Sequence, residues 1–181
     1  SLMVDKLTSC EMVVFNRVDE KTDKMALHKL VRGVSRKANI CYEDTEGEIE
    51  FDQIEDPLPY DLNSAVVEIK DEDFAIFYRD MTEDFAKYDG KRVRFKGICA
   101  VDPSLPASHF AVGRHIMTCC EADIAYRGLA VKAKERVPLE TRDWITVTGK
   151  LVMEYNKIYR GKGPVLEMIS CDYAQKPAQE V

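Results

Sequence analysis

No apolar run in this 181-residue chain approaches the roughly 20 residues that a helix needs to cross a bilayer. The N-terminal residues also lack the charged, apolar and small-residue succession of a signal peptide. These absences predict a cytoplasmic chain with no transmembrane segment. An excess of basic residues is missing as well. With 32 acidic against 26 basic residues the formal net charge is -6, which argues against a large phosphate-binding footprint and disfavours nucleic acid as a partner. The six cysteines (Cys10, Cys41, Cys99, Cys119, Cys120, Cys171) follow no compact disulfide spacing, and scattered thiols in a reducing compartment behave mostly as small buried hydrophobes. What the chain does have is 45% hydrophobic residues over a length that can bury one good core and a small satellite.

The first apolar run, within residues 12 to 18 (Met-Val-Val-Phe-Asn-Arg-Val), reads as a buried strand ending in the polar loop Asp19 to Asp23. From Thr22 or Asp23 as N-cap, Met25, Leu27, Leu30, Val31 and Val34 recur with roughly helical spacing. Basic residues gather late, where they suit the negative end of the helix dipole. Ala38 to Glu43 then reads as a second short strand. The result is a strand-helix-strand unit, expected as a right-handed parallel crossover.

The run Val13-Val14-Phe15-Asn16-Arg17-Val18-Asp19, followed by a charged helix and a short strand, resembles the guanine-recognition segment of the CobW-type metallochaperone GTPases. The resemblance implies a nucleotide-binding role for Asn16, Arg17 and Asp19: Asp19 accepts hydrogen bonds from the guanine edge, Asn16 braces the loop, and Arg17 stands where the family's motif has lysine. A carboxylate can take two N–H donors that adenine does not present in that arrangement. A phosphate cradle does not accompany the motif. The Gly-Lys pairs at Gly90, Gly149 and Gly161 each lack the upstream glycine and the following Ser or Thr of a P-loop. The expectation is therefore a C-terminal fragment of a longer protein whose GTP-binding half lies upstream.

Residues 43 to 63 read as a linker, from the like-charged block at Glu43 to Glu48 and the extended backbone forced by Asp56-Pro57-Leu58-Pro59. Glu48 to Ile54 is an alternative short strand with Ile49 and Phe51 on one side. Ala65 to Ile69 predicts a strand, and Asp71 or Asp73 a cap for a helix carrying Phe74, Phe77, Tyr78 and Met81, continued or restarted to Tyr88 and stopped by Asp89-Gly90. That aromatic spacing is a packing face. Five strand-like segments follow: 91 to 101, with Gly97 as a bulge or bend; 110 to 118, with Phe110, Val112, Arg114, Ile116 and Thr118 on one face; 129 to 134; 144 to 155, with Ile145, Val147, Gly149, Leu151 and Met153 in phase; and 165 to 173. Residues 135 to 143 are short and contain Pro138, which predicts a loop. The fold class expected is α+β: a strand-helix-strand piece, then a five-stranded OB-like β-barrel with a preceding helix. The boundaries follow as 1–60, 64–174 and a tail at 175–181.

The order Gly90-Lys91-x-Val93, Phe110-x-Val112-x-Arg114, Cys119-Cys120-x-x-Asp123, Asp143-Trp144-Ile145-x-Val147-x-Gly149 and Gly163-Pro164-Val165-Leu166 resembles a bacterial domain that forms the C-terminal part of the YcgQ-like subunit of two-component permeases. The resemblance covers roughly residues 64 to 174. It implies a module without a catalytic activity to carry across.

The densest chemistry is Arg114 to Asp123. His115, Cys119, Cys120 and Asp123 could converge at a strand end on a borderline divalent ion such as zinc. Two other readings stand beside this one. The thiols are structural, with Asp123 capping a turn, or one is a nucleophile in the field of Arg114 and His115. Lys157, Arg160 and Lys162 form a basic hairpin tip, read as a solvated turn.

The function expected is the accessory or binding module of a CobW-like GTP-binding protein of metal homeostasis, not catalytic by itself, with GTP bound only by the intact protein. Its partner would be the upstream GTPase half or a metalloprotein. The competing reading is an interaction module docking on a membrane permease subunit, and homo-oligomerisation is a further way to cover the exposed edges of the N-terminal piece.

Overall fold

The computed structural model describes residues 6–7, 9–117 and 123–178. The chain is mixed α+β, with few helices and many strands, and divides into two compact units. Residues 1–57 and 117–124 form the first, and 58–116 with 125–181 form the second.

In the first unit, β1 (Met12–Val18) pairs in parallel with β2 (Asn39–Asp44), and α1 (Lys24–Val34) connects them. The parallel strand-helix-strand unit expected from the hydrophobic periods is therefore present. The helix begins where the sequence signals it: Asp23 is the N-cap and its side chain accepts from the Ala26 amide at 3.0 Å. Val18, Val31, Ala38, Ile40 and Tyr42 form a small buried core, with Val13, Phe15 and Leu27 packed against it. The stretch read as a solvated linker adds a third strand. β3 (Ile49–Phe51) runs antiparallel to β2, so the alternative of a short strand is the one observed.

The second unit is organised around β5 (Arg92–Ala100), β6 (His109–Ile116), β7 (Ala125–Lys132), β8 (Trp144–Asn156) and β9 (Gly161–Tyr173). The strand circuit is β5-β6-β7-β9-β8 and back to β5, a closed ring of five strands. All its pairings are antiparallel except β7 with β9. The short β4 (Val67–Glu68) adds in parallel to the first half of β5. Inward alternation along β5, β6 and β8 buries Val93, Phe95, Cys99, Phe110, Val112, Ile145, Val147 and Leu151. The helix α2 (Phe74–Glu83) lays Phe74, Phe77 and Met81 on this core, followed by a single 3-10 turn at Phe85–Lys87. Fully burying such side chains stabilises by about 1.5–3 kcal/mol each. The Phe74 ring lies tilted 5.3 Å from Phe95, and Phe77 meets Tyr88 edge-on at 5.7 Å. The Tyr88 hydroxyl donates to Asp80 Oδ2 (2.7 Å) and shares a hydrogen bond with the Tyr60 hydroxyl (2.8 Å), while Lys87 reaches Oδ1 of buried Asp80 at 3.4 Å.

Three details depart from the sequence expectations. Gly97 is not a bulge, because β5 stays in register with β8 through the Gly97–Ile145 pair. Its role is close approach: a Cβ there would lie 2.8 Å from the Gly113 carbonyl oxygen and 2.8 Å from Val112 Cγ1. Gly97→Ala is expected to cost about 2 kcal/mol by overpacking, read as a lowered melting temperature. An unchanged melt would mean that β6 shifts freely. The register break falls between β8 and β9 instead, where Thr148 faces Ser170 and Gly149 faces Met168, leaving Ile169 as the extra, exposed residue. Met153 is 45% exposed, so the inward phase of β8 ends at Leu151.

Candidate functional site

Each unit has a cleft lined by residue types that bind ligands. The first lies at the carboxyl ends of β1 and β2, where open parallel sheets receive ligands. It is about 770 Å3 and is lined by Val18, Asp19, Thr22, Tyr42, Asp44 and Glu50 among others. Asn16, Arg17 and Asp19 all fall at this end. Arg17 has a φ of 57°, a left-handed conformation that coincides with a register shift between Asn16 and Val18. Asp19 closes its own turn: Oδ1 accepts from the Lys21 amide (3.0 Å) and the Thr22 hydroxyl (2.8 Å). Six carboxylates line this cleft (Asp19, Glu20, Asp44, Glu46, Glu48, Glu50) against one lysine. That lysine, Lys24, is held by Glu50 at 2.5 Å and sits 5.1 Å from the Tyr42 ring centroid. Such a field repels phosphate, so the cleft suits an uncharged group with N–H donors.

The second cleft, about 450 Å3, is framed by the β5–β6 connection and the β8–β9 turn. Its lining is aliphatic at Ala100, Val101, Leu105, Ala111 and Ile158, with Asp102, Ser104, Lys157 and Arg160 adding polarity. Both walls are fastened. Thr141 Oγ1 accepts from the Val101 amide (3.0 Å) and donates to the Val101 carbonyl (3.2 Å). Asp102 Oδ1 accepts from the Ser104 amide (2.8 Å), which holds the Asp102 carboxyl below its usual range. Across the cleft, the side chain of buried Asn156 accepts from the Ile158 amide at 2.9 Å. The Tyr159 hydroxyl accepts from the Ala130 amide and donates to the Pro164 carbonyl, both at 2.8 Å, and burial pushes this phenol up to about 12. Gly163 makes room for that ring, since a Cβ there would come within 2.5 Å of it. The turn thus pins Tyr159 inward and leaves Lys157 and Arg160 exposed, with Arg160 at a φ of 53°.

The central stretch is placed only in part. His115 is exposed on β6 and meets Tyr126 edge-on at 5.8 Å. Asp123 is half-buried in the connection to β7, and Cys119 and Cys120 lie outside the described residues. Among the described residues no group of three or more His, Cys, Asp or Glu side chains is arranged to hold a metal ion. Arg114 is buried, its guanidinium bonded to Asp71 Oδ1 at 2.9 Å. Cys99 is 1% exposed, and burial pushes its thiol up to about 12, the state of a core residue rather than a nucleophile.

Sequence reasoning found Lys157 and Arg160 as a basic tip but missed Asp102, Ser104 and Leu105 opposite them. The two loops are some 50 residues apart along the chain, and only the order of strands in the ring brings them together. None of the helices among the described residues is long and apolar enough to cross a membrane. No curated protein matches the chain. Residues 47–180, which include β3 and the whole ring, match the DUF1980 C-terminal domain, and the chain therefore belongs to that family.

Proposed function

We propose that the five-stranded ring works as an OB-like binding module, and that the chain is the C-terminal accessory part of a CobW-like GTP-binding protein of metal homeostasis. The observation that carries the first half is the circuit first-second-third-fifth-fourth strand with a parallel third-fifth pair, in which the first-second and fourth-fifth connections frame the second cleft. OB-type domains take their ligands between those same two connections.

The second half is supported by Asn16, Arg17 and Asp19 at the carboxyl end of a parallel strand beside a cleft that suits a nucleobase edge. Asp19 Oδ2 has no hydrogen-bond partner among the described residues, and Oδ1 is engaged by the turn. The acidic lining accounts for why phosphates would be held elsewhere, by the GTPase half. When bound, the nucleotide would supply the switching chemistry; what this chain contributes is recognition of the base. Cys119 and Cys120, with His115 and Asp123, are the candidates to contribute ligands for zinc.

The test is a titration of the labelled chain with millimolar guanosine and, separately, adenosine, followed by amide chemical shifts. Guanosine is expected to move resonances around Asp19, Thr22 and Tyr42, and Asp19→Ala to remove the effect, with no GTP turnover above buffer. Equal shifts with adenosine, no shifts at all, or turnover by this chain would overturn the GTPase half of the reading.

A further inference from the structure

We propose that the second cleft binds an acidic peptide segment of a protein partner, seating one aliphatic side chain between the two loops and placing flanking carboxylates on Lys157 and Arg160. This rests on the ring being a binding module and names what it binds.

Charge is the first argument. Lys157 and Arg160 have no ion-pair partner among the described residues, whereas Lys24, Lys87, Lys96 and Lys132 do. The one carboxylate in the lining, Asp102, is turned to the Ser104 amide and forms no ion pair with either cation among the described residues. The cleft therefore presents net positive charge on a chain whose net charge is -6. An acidic ligand is drawn to this patch.

Shape is the second. A floor of small and branched aliphatic residues within about 450 Å3 matches one Leu- or Val-sized side chain with adjoining backbone. The walls are held by the Thr141, Asn156 and Tyr159 bonds, so little ordering of the loops is needed when a ligand arrives. Single-stranded nucleic acid fits less well. Its bases require aromatic faces for stacking, and none lines the cleft; its backbone requires a track of cations, and two are present.

The experiment uses the full chain and a fluorescein-labelled peptide Glu-Glu-Leu-Glu-Glu, read by anisotropy at low and high salt, with a short oligothymidylate as second probe. Expected is salt-sensitive peptide binding that falls about tenfold or more in the double variant Lys157→Glu, Arg160→Glu. The charge-matched control Lys134→Glu, Arg136→Glu, at exposed positions outside the cleft, should keep it. If the double variant loses its circular dichroism signature, Lys157→Glu alone decides, with a partial loss expected. Equal loss in cleft variant and control would reduce the effect to overall charge and overturn the inference. Oligothymidylate binding that depends on Lys157 and Arg160, without peptide binding, would keep the cleft as a site and overturn the peptide. Binding of neither probe would remove both the inference and the cleft as the module's site.

Discussion

Asp71→Ala is expected to destabilise the protein by roughly 3 kcal/mol, although Asp71 lies outside the ring strands and is a third exposed. The reason is what it leaves behind. Arg114 projects inward from β6 on the face that carries Phe110 and Val112, and its side chain is only 4% exposed. Asp71 meets its guanidinium at 2.9 Å and, through Oδ2, the Lys96 ammonium at 2.9 Å, while the Trp144 ring lies 5.6 Å away. Removing the carboxylate takes from the buried guanidinium the ion pair that faces it at 2.9 Å. Breaking a buried pair in this way typically costs 3–5 kcal/mol, and the partial exposure of Asp71 places the value at the low end. Arg114→Leu, which removes the charge together with its need for a partner, should cost less than half as much, because apolar replacement of a buried ion is often near neutral. Urea midpoints at unchanged m-value measure both. Equal losses for the two variants would show that packing around Arg114, not its charge, holds this corner.

The second large effect is expected from His28→Ala and should be confined to the first unit. Lys24, His28, Arg32 and Arg36 recur every four residues along α1 and just beyond it, so they share one side. Opposite them, Glu50, Asp52 and Asp56 run along the extended chain from β3, giving Lys24–Glu50 (2.5 Å), His28–Asp52 (2.5 Å) and Arg36–Asp56 (2.8 Å). The outer pairs are partly solvated and contribute little. The His28–Asp52 pair is dry, with both side chains at 5% exposure or less. Deleting the imidazole leaves Asp52 with the Ile54 amide at 3.2 Å and no facing ring, at a cost of roughly 3 kcal/mol. Exchange of the β1 and β2 amides should accelerate about a hundredfold, while those of β5 and β8 keep their protection. Faster exchange throughout both units would mean that they unfold as one.

Much of this architecture is legible in the sequence wherever one face of an element is buried. The cap at Asp23, the aromatic stripe of α2 and the alternation of Val93 and Phe95 each encode their surroundings locally. β3 is legible only as an alternative to a linker because Ile49 and Phe51 are 62% and 58% exposed, so no buried face favours the strand. The bulge read at Gly97 is absent because a glycine in a strand signals a bulge, a bend or a close approach, and the approach is visible only once β6 is in place. The ion pair of Arg114 is hidden for another reason: Asp71 lies 43 residues earlier, and no local rule links the two. The second cleft is non-local in the same way, since each of its walls reads as an ordinary polar loop.

The uneven stitching of the ring also orders the folding problem. β8 and β9 meet through a tight turn and pair from Asn156–Gly161 outward, so their association closes almost no loop. β5 must find β8 with Arg92 opposite Lys150, and β7 meets β9 only at Ala130–Val165, Val131–Leu166 and Lys132–Glu167. Few contacts reward that last closure, and they are parallel and distant in sequence. The hairpin is thus the natural nucleus, and the parallel seam beside Tyr159, whose strands lie far apart in sequence, is the costliest closure of the ring.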